Sequence, residues 1–240
     1  MPTSMSKRTF LTAAGALAAF GASSLLLRRV VHAEKGSGAP VSATATTALP
    51  RTPSGDLGPF YPVEHPLDTD FDLTRLRDGG PRARGPIIEV AGRVLARDGT
   101  PQANARLELW QANAAVRYAH PGDTRADAAL DPNFQGYADV QADADGHFRI
   151  LTVRPGLYPV DGLFQRSPHI HVDIRGRQRR LVTQMYFDDT DAKVLAEDKL
   201  LQHDMWGKTS PLPSTIFAKL QKERSRLDAS AVLYEFDIVL

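Results

Sequence analysis

Arg166-Ser167-Pro168-His169-Ile170-His171-Val172-Asp173-Ile174 alternates polar and apolar residues from His169 onward, the pattern of a β-strand with one buried face. Pro168 suits the position just ahead of a strand, where no ladder donor is needed and the incoming chain is fixed. Residues two apart on a strand project from one face. His169 and His171 therefore stand together, and Ile170 turns into the core. Histidine is the commonest metal ligand among side chains, so the pair is placed to share one ion. A lone His-x-His is equally compatible with a chance pair on a solvated face. Its partners decide.

Further strands lie on either side. Ile87–Leu95 is rich in β-branched residues and closes at the turn Arg97-Asp98-Gly99-Thr100. Arg106-Leu107-Glu108-Leu109-Trp110-Gln111 alternates, which marks one buried face. Asp143-Ala144-Asp145-Gly146 turns into His147–Val153, with Phe148 and Ile150 on one side, and Arg154-Pro155-Gly156 ends that strand. Leu181–Phe187 and Val232–Leu240 complete the set. Helical signals are few: Ala192–Leu200, and Ser214–Leu227 with Ser214 as N-cap. There is no internal repeat and no strand–helix alternation. The pattern predicts a mainly β fold, an antiparallel β-sandwich with few short helices and long loops.

Composition narrows the chemistry. The 240 residues suffice for one good-sized core. Cysteine is absent, which excludes disulfides, iron–sulfur clusters and thiolate zinc sites. Any metal must be held by histidine, carboxylate or phenolate. The formal charge of +1 misleads, because residues 1–33 hold four basic residues and no acidic one; the remainder has 25 basic against 28 acidic, a net charge of −3. Nothing in that balance points to nucleic acid as a partner.

Residues 1–33 have a basic start at Lys7 and Arg8, an apolar run from Phe10 to Leu27, and the small-residue exit Val31-His32-Ala33, the architecture of a signal peptide. Ser6-Lys7-Arg8-Thr9-Phe10-Leu11 resembles the twin-arginine export motif, with lysine in place of the first arginine. The expectation is export to a bacterial periplasm, with no stable membrane partner after cleavage, or a membrane anchor if the segment is retained. Residues 34–55 read as a flexible linker, which leaves 56–240 as the main folded domain.

Two histidines do not complete a metal site. Asp173 shares their strand face, and His-x-His-x-Asp occurs in metallohydrolases, but on folds with the strand–helix alternation missing here. Two of the six tyrosines stand in unusual loop positions: Tyr118 in Val116-Arg117-Tyr118-Ala119-His120, and Tyr158 in Pro155-Gly156-Leu157-Tyr158-Pro159. Both suit loop anchors with a buried ring and a bonded hydroxyl. Both equally suit phenolate ligands, because a trivalent hard cation deprotonates a phenol of pKa about 10 on binding. His65, His120, His147 and His203 have no partner at ligand spacing.

Glu108-Leu109-Trp110-Gln111-Ala112-Asn113, Tyr118, Leu130-Asp131-Pro132-Asn133-Phe134, Asp145-Gly146, Pro155-Gly156-Leu157-Tyr158-Pro159, Arg166-x-x-His169-Ile170-His171 and Thr183-Gln184-Met185-Tyr186-Phe187 follow in an order that resembles the intradiol ring-cleavage dioxygenases, the protocatechuate type above all. Gly58-Pro59-Phe60-Tyr61 and Phe236-Asp237-Ile238-Val239-Leu240 agree. The likeness covers about residues 56–240 and implies a prealbumin-like β-sandwich. By that resemblance one non-haem Fe(III) is held by Tyr118 and His169 (equatorial) and Tyr158 and His171 (axial). A catechol-type molecule and O2 are the implied substrates, with cleavage between the two hydroxyl-bearing carbons to a cis,cis-muconate-type product. Tyr158 leaves the metal as substrate arrives, Arg166 faces the ring as a fixed positive charge, and Gln184 bonds near the iron. Gly58, Pro59, Phe60 and Tyr61 line the pocket.

Two departures alter the pocket wall and bear on which catechol it takes. Val160 stands where the protocatechuate type has tryptophan, and the loop from Tyr158 to His169 is shorter. The linker-like 34–55 leaves no room for the helical dimerisation domain of catechol-type enzymes, while a homo- or hetero-oligomer is compatible with the chain. The competing expectation is a non-catalytic prealbumin-like binding module, because the runs Val90–Val94, Ala103–Ala105, Asp145–Phe148 and Pro155–Tyr158 also resemble such domains. A module of that kind needs neither histidine of the pair nor a tyrosine at 118.

Overall fold

Residues 47–66, 68–160, 162–204 and 211–240 are described by the computed structural model. The expected signal segment and the linker as far as residue 46 lie outside the described residues. Eleven strands are present among them: β1 Ile87–Leu95, β2 Arg106–Trp110, β3 Tyr137–Gln141, β4 His147–Val153, β5 Tyr158–Val160, β6 Phe164–Arg166, β7 His169–Arg175, β8 Arg180–Phe187, β9 Phe217–Arg224, β10 Val232–Glu235 and β11 Ile238–Val239. Helix is scarce, with α1 at Ala192–Glu197 and single turns at Leu200–Asp204 and Ser214–Ile216.

One sheet runs β3-β2-β7-β8-β9-β10-β1, and β1 also pairs with β4 and β11. It is mixed and barrel-like, which corrects the expected antiparallel sandwich. In the run β3-β2-β7-β8 each strand is antiparallel to its neighbour, but β9 lies parallel to β8, and β10 and β11 lie parallel to β1. The cause is connectivity: a parallel neighbour needs a long crossover, and residues 188–216 supply one between β8 and β9. Only Tyr186–Phe217 and Phe187–Ala218 pair there, so the two halves meet at a narrow corner and fold over one core.

The expected helix at Ser214–Leu227 is replaced by a 3₁₀ turn and β9. Tertiary pairing overrides local propensity: β10 offers an open edge, and Lys219 and Leu220 pair with Glu235 and Tyr234. Only Ile216 and Ala218 of this stretch are buried apolar residues, too few for a helical stripe. The expected strand Val232–Leu240 is divided where Phe236 and Asp237 cross Gly92. An added Cβ on Gly92 would lie 1.9 Å from the Phe236 carbonyl oxygen.

Residues 49–55, the end of the expected linker, lie against the sheet. The Leu49 amide donates to the Arg97 carbonyl (2.7 Å), Thr52 to Val239 (3.0 Å) and Gly55 to Val182 (2.8 Å). Thr52 is buried. This strap delivers Gly58, Pro59 and Phe60 to the outer face of β7.

β7 shows why that face carries the chemistry. Ile170, Val172 and Ile174 enter the main core with Val90, Leu107, Leu109, Ile150 and Phe187, each stabilising the fold by roughly 1.5–3 kcal/mol. The alternate residues His169, His171 and Asp173 point the other way, yet all three are buried. Loops rather than water cover them.

Candidate active site

Register assembles the floor of the site. Trp110 and Gln184 lie opposite His171, and Tyr186 lies opposite His169. Trp110 stacks on the His171 imidazole with centroids 5.0 Å apart and planes 11° from parallel. The two imidazoles are 5.0 Å apart. From the loop after β2, Tyr118 brings its hydroxyl to 3.5 Å from His169 Nε2. Tyr158, at the start of β5, lies 5.5 Å from Tyr118 between ring centroids. Phe60 stacks on Tyr118 at 4.7 Å. The sequence-predicted Tyr118, Tyr158, His169 and His171 thus converge from one loop and two strands.

They share the wall of a cavity of about 260 Å³ with the sequence candidates Gly58, Pro59, Phe60, Val160 and Arg166, and with Asp123, Thr124, Arg125 and Leu200, which no sequence signal had singled out. Tyr61 and Gln184 are not in that wall. The Tyr61 ring meets Trp110 edge-on at 5.0 Å, and its hydroxyl faces Glu108. Gln184 sits behind Arg166. His65, His120 and His147 stay outside the cavity wall, and the side chain of His203 lies outside the described residues.

Each donor is held in a defined state. His169 Nδ1 donates to the Ser167 carbonyl at 2.6 Å, which leaves the Nε2 lone pair toward Tyr118, the usual second-neighbour control of a metal-binding imidazole. The Asp56 backbone sits beside His171, but Nδ1 makes no hydrogen bond of good geometry. Burial, reinforced by the nearby Arg166 charge, drives the His169 pKa well below its ordinary value and that of His171 down to about 3. Both rings are neutral at physiological pH. Burial also pushes the Tyr118 phenol far up, so without a cation it keeps its proton.

Gly58 closes one side. Its φ is +73°, and an added Cβ would lie 2.8 Å from His171 Cε1. Only glycine meets both demands without strain.

Arg166 is buried and multiply bonded. Its Nε donates to Asp198 at 3.1 Å, and Nη2 donates to Gln184 Oε1 and the Tyr186 hydroxyl, both at 2.8 Å. Asp198 also accepts from the Ser167 and Leu201 amides. Burial works against the charge on Arg166, but Tyr186 and Asp198 outweigh it and the pKa rises. A fixed cation therefore stands at the cavity wall.

Among the described residues no carboxylate is free to compete for the histidines. Asp173 is taken by Arg180 (2.9 Å) and Arg175 (3.3 Å), and among the described residues no cluster of three His, Cys, Asp or Glu could hold a metal. The metallohydrolase pattern fails on this ground. Two imidazoles and two phenols are the groups here that could hold a metal, and hard oxygen donors of that kind suit a trivalent cation. Tyr186 could have been found from its alternation with Gln184 on β8. Asp123, Arg125 and Asp198 lie in aperiodic loops and turns and carried no such signal.

A family model described as "Dioxygenase" matches residues 57–240. The protocatechuate 3,4-dioxygenase beta chain of Burkholderia cepacia is 39% identical over 188 residues, 76% of each chain. The protocatechuate 3,4-dioxygenase alpha chain of Pseudomonas putida is 29% identical over 59% of this chain and 71% of its own. In solved structures, the 3-chlorocatechol 1,2-dioxygenase of Rhodococcus opacus 1CP shares the fold with a TM-score of 0.58 at 20% identity, over 78% of this chain and 71% of its own. A dioxygenase domain from Streptomyces sp. SirexAA-E does so with a TM-score of 0.56 at 22% identity, over 80% of this chain and 98% of its own. With the family model and the relatives in agreement, the chain belongs to the intradiol ring-cleavage dioxygenase family, a family of oxidoreductases.

Proposed function

We propose that this chain binds one non-haem Fe(III) through Tyr118, Tyr158, His169 and His171. With O2 it cleaves a catechol-type ring between the two hydroxyl-bearing carbons to a cis,cis-muconate-type product. The observation that carries the reading is the convergence of two neutral imidazoles and two phenols on one cavity wall, whose one carboxylate among the described residues, Asp123, is taken up by Arg125 and the Tyr118 amide. Fe(III) in such a site supplies the Lewis acidity that ionises the phenols and the substrate diol.

The protein's own groups divide the remaining work. Tyr118 is buried and paired with His169, and serves as the lasting donor. Tyr158 is half-buried at the cavity wall; its oxygen takes up a proton from the arriving diol as it gives way. Arg166, locked by Asp198, Gln184 and Tyr186, offers a preorganised positive charge to the electron-rich ring, worth about 3–4 kcal/mol of barrier when well placed. Gly58, Pro59, Phe60 and Val160 flank the ring and exclude water. The reading extends to an exported enzyme delivered by residues 1–33 and working alone or as an oligomer; the alpha and beta chain names of the relatives support assembly.

Oxygen uptake by iron-loaded protein against catechol, protocatechuate, hydroxyquinol and a larger aryl diol, with product spectra, tests the reading. The expected protein is burgundy and yields a muconate-type product from at least one diol. A colourless protein with stoichiometric iron would overturn the ligand set.

A further inference from the structure

Arg125 reaches both tyrosine loops at once. Its guanidinium carbon lies 3.9 Å from the centroid of the Tyr158 ring. Nε and Nη2 donate to the two carboxylate oxygens of Asp123 at 3.0 and 2.8 Å. Asp123 is buried and also accepts the Tyr118 amide at 2.9 Å. Nη2 further donates to the Val116 carbonyl. Val116 has φ +61°, a rare and strained conformation for a β-branched residue, and its methyl fills the space a side chain at Gly156 would need, 2.5 Å from the added Cβ. The Tyr118 loop is thereby pinned to the segment leading into Tyr158. Arg125 Nη1 is buried with no hydrogen-bond partner, so this forked cation is placed for its contact with the ring rather than for a full set of bonds.

From this geometry we propose that Arg125 is a positioning residue for Tyr158, making it the more easily displaced of the two phenolate donors. A cation over an aromatic face interacts with the ring electrostatically and stabilises negative charge on the attached oxygen. It lowers the energy of the phenolate electrons and weakens their donation to a metal. Among the described residues no cation lies over the Tyr118 ring; Arg166 acts on its phenol electrostatically and Asp123 holds its backbone. The asymmetry between the two tyrosines is thus set by the Asp123–Arg125 pair. The proposal rests on the Fe(III) reading above.

The test uses iron-loaded full-length protein and the variants Arg125→Gln and Arg125→Lys, each also made with Tyr158→Phe. In Arg125→Gln the visible phenolate-to-iron band moves to longer wavelength, because the donor electrons rise in energy. The KM for a catechol rises several-fold at unchanged iron content, while kcat changes less. Arg125→Lys keeps a charge near the ring and holds the band nearer the parent position. In the Tyr158→Phe background, Arg125→Gln leaves the residual Tyr118 band in place. A coloured Arg125→Gln protein with band and KM unmoved overturns the proposal and leaves the ligand set intact, whereas a colourless iron-loaded parent overturns the ligand set itself. A band that shifts equally in the Tyr158→Phe background assigns the effect to Tyr118 and also overturns the proposal.

Discussion

Arg166 and Gly58 make the sharpest demands on single side chains. Arg166 uses its planar fork to hold Asp198, Gln184 and Tyr186 together, a geometry a point-charge lysine does not reproduce. Arg166→Ser lowers kcat on the order of 10²–10³-fold in steady-state oxygen uptake while most iron is retained. Arg166→Lys recovers only a small part of that loss. Gly58→Ala adds a methyl against His171 and places alanine at positive φ, a backbone cost of about 1–2 kcal/mol. The expected result is a lower iron stoichiometry after dialysis and a weaker visible band, with the fold intact by circular dichroism. Alternation alone made legible the shared face of His169 and His171, because strand periodicity fixes it, but not their role, which waited on partners distant in sequence. Tyr118 sits in a loop and Tyr158 opens a three-residue strand, where no long period aims a side chain; their unusual positions raised them as candidates and the order of surrounding motifs gave them a role.

Among the elements, β1 shows how far the sequence could be read and where it stopped. Its β-branched run announced a strand, yet nothing in the run announced three partners, two of them parallel. The change from β10 to β11 occurs over Gly92, where the backbone of Phe236 passes too closely for any Cβ. Gly92→Ala costs about 1–3 kcal/mol of stability as overpacking against backbone, read as a lower denaturant midpoint at unchanged slope. β9 escaped notice for a related reason: its polar residues follow no alternation, and its identity as a strand comes from the edges of β8 and β10. Pairing partners distant in sequence, rather than local propensity, settle both cases.

At the scale of the whole molecule, the buried neutral imidazoles of His169 and His171 contribute to its response to acid. In the unfolded chain a histidine binds its proton below about pH 6.5. In the iron-free fold His171 does so only near pH 3, and His169 is shifted the same way. Between those values the unfolded state holds more protons, so stability falls as pH falls. For His171 alone the loss reaches about 2 kcal/mol at pH 5. Thermal unfolding of iron-free protein from pH 7.5 to 4.5 shows a falling Tm, and His171→Gln flattens the slope. Iron loading raises Tm across the range by mass action.

Trp110 lies flat on His171, which gives the protein an optical reporter of its own ligand sphere. Indole emission is quenched by a coloured acceptor this close. The intrinsic fluorescence of Trp110 therefore dims as iron enters and tracks occupancy during turnover. The other tryptophan, Trp206, lies outside the described residues, and Trp206→Phe leaves a single-emitter protein. Metal loading and loss then become visible in real time without a label or a substrate.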